Sequence, residues 1–157
     1  MENYLQVLEE SLQKKMDVLC RIEMLSARQE QILSAESVSE EAFDKNIEEK
    51  DTLINELNKL DEGFESLDAH IKEQLLAGRH KYKAQIAVLQ KKIAEVTEKS
   101  VAIQAQEARN KKLAESYFAK AKQELKKGRR SSKAALDYYK SMNKTQMVYP
   151  QFMDKKK

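Results

Sequence analysis

Residues 40–77 read EEAFDKNIEEKDTLINELNKLDEGFESLDAHIKEQLLA. Phe43, Ile47, Ile54, Leu57, Phe64, Ile71 and Leu75 recur at spacings built from three and four, the period that puts side chains on one face of an α-helix. Leu53, Leu60 and Leu67 add a second apolar row, one residue per heptad. A two-stranded coiled coil needs only a narrow seam. This face is broad enough to touch two neighbouring helices, so the stretch predicts a long amphipathic helix inside a bundle.

Toward the N-terminus the pattern stops at Ser34-Ala35-Glu36-Ser37-Val38-Ser39. Ser39 before Glu40-Glu41 is a good N-cap with acids in the first turn, and Ser37 with Glu40 is an alternative capping box. Before the break, residues 2–34 carry Leu5, Leu8, Leu12, Leu19, Ile22 and Leu33 on the same spacing, widened by Met16 and Leu25. Lys15, Ser26 and Gln29 occupy stripe positions too, so the seam loosens toward its end.

Toward the C-terminus, Gly78 is a helix stop before Arg79-His80-Lys81. The stripe passes Leu75, Gly78, Tyr82 and Ile86 almost in phase, so a continuous rod over 40–127, about 130 Å long, is an alternative. The broad face of residues 40–77 argues for folding back instead. Residues 80–127 then form a third helix, with Tyr82, Ile86, Leu89, Ile93, Val96 and Ile103 in its stripe. Ser100, Glu107 and Asn110 interrupt it before Leu113, Tyr117, Ala121 and Leu125 resume. This segment is longer than its partners, so roughly its last ten residues should project beyond the bundle, apolar side chains included. The expected architecture is an all-α, antiparallel three-helix bundle over 1–128. A basic, Tyr/Met-rich tail over 129–157 follows, with a short helix near 132–142 capped by Ser131 or Ser132 and bearing Leu136, Tyr139 and Met142 on one side. Met147, Tyr149, Phe152 and Met153 lie beyond it.

Composition supports this and excludes other classes. Gly63, Gly78, Gly128 and Pro150 are the whole supply of turn formers in 157 residues, too few for a sandwich or barrel. No clustered glycines could cradle a phosphate. Cys20 is alone, so a disulfide scaffold is impossible. There is no run of about 18 apolar residues. Met1–Glu10 has no basic signal-peptide region, and with a lone cysteine this leads to the expectation of a cytoplasmic protein. The net charge of +3 conceals an uneven spread: residues 35–78 hold 4 basic and 13 acidic groups, residues 79–128 hold 13 and 5, and residues 129–157 hold 8 and 2. The two middle segments can neutralise each other within one bundle. The tail's excess has no such internal counterpart.

Nothing reads as catalytic machinery. His70 and His80 lack the Glu three residues earlier that a di-metal bundle uses, and with Cys20 they have no zinc-site spacing. Cys20 beside Leu19 reads as a small, half-buried apolar residue. No enzyme activity, metal or cofactor is expected. Asp61-Glu62-Gly63 is odder. Gly63 inside a strong helical pattern costs roughly 1 kcal/mol against Ala, which suggests close approach of a neighbouring helix, a slight kink or a contact point.

At these residues the chain resembles a family. Lys50-Asp51-Thr52-Leu53-Ile54-Asn55-Glu56-Leu57, followed by Leu60-Asp61-Glu62-Gly63-Phe64-Glu65-Ser66-Leu67, is similar to the second helix of flagellar type III export chaperones of the FlgN/FliT type. Members often read Lys-Asp-x-Leu-Ile-x-x-Leu, then Leu-Asp-x-Gly-Phe-x-x-Leu. Asp61, Gly63, Phe64 and Leu67 match that motif, while Asp68 stands where relatives carry Tyr. The resemblance implies a cytoplasmic, all-helical chaperone without hydrolytic activity. It would bind the C-terminal region of a hook-filament junction or filament-cap protein, prevent premature assembly and escort the client to the export gate, with the client site toward the C-terminal helix.

The residues suggest how such a site would be built. Leu113, Tyr117, Phe118, Ala121, Leu125, Leu136, Tyr139 and Met142 could line a groove for a client's amphipathic helix, Met and Tyr suiting a surface that re-packs and releases. Lys126, Lys127, Arg129 and Arg130 would steer an acidic client or the gate. The structural alternative is a tail that folds back and completes the protein's own bundle, and both hold if a client displaces it. Rival functions are a coiled-coil structural or adaptor protein, and nucleic-acid binding by the basic half. The latter is disfavoured because no recognition helix or stacking module is present. Either a monomer or a dimer is compatible with the pattern.

Overall fold

The computed structural model describes residues 2–77, 80–124 and 129–144, with side chains described over 4–67, 80–123 and 135–142. The described chain is all-α: α1 Glu2–Ser34, α2 Glu40–Ala77, α3 Lys83–Glu124 and α4 Arg129–Lys144. Among the described residues there is no strand, and no helix is long and apolar enough to cross a membrane.

The start of α2 follows from its cap. Ser39 Oγ accepts the Ala42 N–H at 3.1 Å, and the Ser39 carbonyl accepts the Phe43 N–H at 3.0 Å. The first bond satisfies one of the helix's orphan donors, and the second is its first intrahelical bond. His80–Tyr82 form a turn, so α3 opens at Lys83 rather than at residue 80. Gly78 lies outside the described residues. The continuous rod does not form: α2 stops at Ala77, and α2 and α3 both pack along α1.

Side-chain pairs give the register. Lys15–Asp61, Arg21–Glu56, Leu25–Asn46 and Gln29–Lys50 link α1 to α2. Gln13–Lys92, Glu23–Lys99 and Glu30–Gln106 rise together along α1 and α3. The tail does not stay apart: α4 packs against α2 and α3 and contributes Ala135, Tyr138, Tyr139 and Met142 to the common core. Its helix runs over 129–144 instead of the shorter 132–142 expected, and residues 145–157 lie outside the described residues.

The apolar stripes meet as their spacing demands. Leu5, Leu8, Leu12 and Leu19 of α1, Ile54, Leu57 and Phe64 of α2, and Ile86, Leu89 and Ile93 of α3 are all buried in one cluster. Each fully buried Leu, Ile or Phe contributes roughly 1.5–3 kcal/mol, and most of the total is offset by chain entropy.

Two expectations need correction. Cys20 is exposed, because it lies one residue past Leu19 and the 100° step of the helix carries it out of the seam. Gly63 marks no close approach: it is exposed, and a Cβ built on it would meet nothing within 4 Å.

Candidate functional site

The polar residues that interrupt the stripes of α1 and α3 come together at one level of the bundle. Ser26 and Gln29 of α1, Asn46 and Lys50 of α2, and Glu107 and Asn110 of α3 are all buried. Lys50, at 0% exposure, is the centre. Its ammonium donates to Glu107 Oε1 at 2.5 Å and to Gln29 Oε1 at 3.2 Å. Ser26 Oγ donates to the same Glu107 oxygen at 2.6 Å. Asn110 Nδ2 donates to the Ser26 carbonyl at 2.8 Å, and Asn46 Nδ2 to the Leu25 carbonyl at 2.9 Å. Three helices are thus tied by charge-assisted and neutral hydrogen bonds out of water.

The fourth helix closes this level. Tyr138, fully buried, lays its ring 4.5 Å from the Lys50 ammonium, a cation–π contact. Tyr139 donates its hydroxyl to Gln29 Oε1 at 3.1 Å. The two rings meet edge-on with centroids 5.3 Å apart. Burial pulls the Lys50 ammonium below the usual lysine range, and the adjacent Glu107 carboxylate opposes that shift. Burial, reinforced by the same carboxylate, pushes both tyrosine hydroxyls well above their usual range, so they remain neutral donors. Glu107 Oε2 and Gln29 Nε2 have no hydrogen-bond partner among the described residues. The level is polar, buried and incompletely satisfied.

The residues expected to line a client groove divide into three groups. Leu113, Tyr117 and Phe118 are half-buried on α3 and pack against the core. Phe118 meets Phe43 edge-on at 5.6 Å, and the Tyr117 hydroxyl donates to Glu40, the first residue of α2, at 3.2 Å. With Ala121 also half-buried, this end of α3 does not project as bare apolar surface. Tyr139 and Met142, 5% and 3% exposed, belong to the buried face of α4, while Leu136 at 51% faces solvent. These three therefore do not form one wall: α4 turns Tyr139 and Met142 into the bundle and Leu136 outward. Leu125, Lys126 and Lys127 lie outside the described residues. Arg129 and Arg130 stand in the first turn of α4, their side chains outside the described set.

The matched motif is mixed in placement. Phe64 is buried and Leu67 half-buried, while Gly63 is open to solvent. Asp61 is tied to the buried Lys15 at 2.6 Å. Burial raises the Asp61 carboxyl above its usual range, and Lys15 partly counters this.

The burial of Lys50 and Asn46 is what sequence reasoning missed. A signal was present: position 50 falls between Ile47 and Ile54 on the 3–4 spacing, so a lysine there has to enter the core. No family model, curated protein or solved structure matches the chain.

Proposed function

We propose that this chain is a cytoplasmic export chaperone of the flagellar type III kind. It holds a terminal amphipathic helix of a hook-filament junction or filament-cap protein until the client reaches the export gate. In this reading the core is an antiparallel three-helix bundle, and α4 is a placeholder in the client's seat. The observation that carries it is α4 itself. A 16-residue helix lies against α2 and α3 with Ala135, Tyr138, Tyr139 and Met142 inward. A surface that accepts one amphipathic helix through such anchors has the chemistry to accept another. The resemblance of residues 50–67 to the chaperone motif supplies the identity of the client class.

Displacement is energetically reasonable. Lifting α4 uncovers apolar area, at a cost, but it also returns Lys50 and Glu107 to water, which recovers part of their desolvation penalty. A client helix that buries more apolar surface than α4 would win the exchange. Lys126, Lys127, Arg129 and Arg130, just before and within the start of α4, would draw in acidic segments of the client or gate.

The test is client binding by the full chain with α4 unseated. Ala135→Glu with Met142→Glu places two charges on its buried face. Tighter binding of a junction- or cap-protein C-terminal region, measured by calorimetry, is the expected outcome. Unchanged or weaker binding removes α4 from the client's seat, and no binding by either form rejects the chaperone reading.

A further inference from the structure

The polar level beneath α4 is not what a bundle needs for cohesion. Apolar side chains of the same volume commonly hold such a position as well as or better than a buried ion pair. Buried polar groups instead discriminate between partners, because the wrong occupant leaves them unmatched. The matching here is specific. Lys50 offers a cation to a ring face, and Gln29 offers a carbonyl oxygen to a hydroxyl. Tyr138 and Tyr139 meet these two groups from consecutive positions.

Consecutive residues on a helix point about 100° apart. Both can be buried only if the helix is seated with walls on two sides, and here Lys50 comes from α2 and Gln29 from α1. We infer that this surface selects helices carrying an aromatic residue followed directly by tyrosine, the ring read by Lys50 and the hydroxyl by Gln29. This rests on the reading of α4 as a placeholder and adds the chemistry of what replaces it. The partner is a protein helix with an aromatic–tyrosine pair on its apolar face. A leucine pair in its place would fill the volume, leave Lys50 without its ring and leave Gln29 Oε1 with only the Lys50 ammonium as donor.

The probe is the α4 sequence supplied in trans. The full chain carrying Ala135→Glu and Met142→Glu keeps its own α4 out of the seat. A fluorescent peptide of residues 129–144 is titrated into it and followed by anisotropy, beside peptides carrying Tyr139→Phe or Tyr138→Leu with Tyr139→Leu. Loss of the hydroxyl weakens binding about fivefold, and loss of the ring adds about another fivefold. In the same chain carrying Gln29→Leu, the difference between the native and Tyr139→Phe peptides disappears.

Equal affinities for all three peptides overturn the selection and leave the placeholder reading standing, whereas binding of none overturns both. Should the charged pair also loosen α1–α3, hydrogen exchange of the otherwise native chain decides. Tyr139→Phe then speeds exchange of residues 135–142 about fivefold, leaving α1–α3 unchanged. An unchanged rate in α4 overturns the inference.

Discussion

The two ends of the bundle are built on the same helical period with opposite chemistry. At one end Leu5, Leu8 and Leu12 of α1 and Tyr82, Ile86 and Leu89 of α3 close an apolar core, with Lys15–Asp61 its one buried or half-buried ion pair among the described residues. At the other end Ser26, Gln29, Asn46, Lys50, Glu107 and Asn110 hold equivalent stripe positions, and the tyrosines of α4 complete the layer. The apolar end has no directional requirement, since one well-shaped hydrocarbon surface serves as well as another. The polar end requires particular atoms at particular distances. The first end therefore coheres by burial of apolar surface, whereas the second adds groups that need matched partners.

The comparison breaks most sharply at Glu107. Glu107→Leu leaves the Lys50 ammonium buried without its counter-ion and should cost about 3–5 kcal/mol in denaturant unfolding. Lys50→Met together with Glu107→Leu should recover most of that loss, because no uncompensated charge remains. If the double variant is as unstable as the single one, the polar layer is cohesive after all and the contrast between the ends fails. The apolar end should answer differently. Leu89→Ala should cost about 2–5 kcal/mol through lost burial and a cavity, with no second substitution across the layer rescuing it. A loss under about 1 kcal/mol would mean that this end is loosely packed. The smallest effect lies at Gly63, where the helix is open to solvent and a methyl group meets nothing. Gly63→Ala should raise stability by roughly 0.5–1 kcal/mol. A destabilisation there would instead show that the exposed glycine is needed for the fold.

Much of the apolar end was legible in the residues. The 3–4 spacing located α1 and α2, and Ser39 announced the start of α2 because a cap is a local interaction of side chain and backbone. Ser26, Gln29, Ser100, Glu107 and Asn110 were visible as interruptions, but an interruption in one stripe does not reveal what faces it. Ser26 and Glu107 are 81 residues apart in sequence and 2.6 Å apart in space. The burial of Lys50 was not foreseen, because a lone lysine in a charged helix reads as surface until its partner is known. The half-buried Cys20 and the close approach at Gly63 were misjudged for a related reason. One was read from its place beside Leu19 and the other from its place in a helical pattern, and the rotation of each about its own helix leaves it facing solvent.

The sequence by itself determined that the chain is helical, where its first two helices begin and end, and which faces are apolar. These follow from period, propensity and capping, which act over a few residues. The tertiary structure decided that the polar gaps in three separate stripes form one buried layer, and that α4 packs against α2 and α3 and joins the core. Both depend on long-range register, where one residue of slip turns a side chain by 100° and a contact into a void.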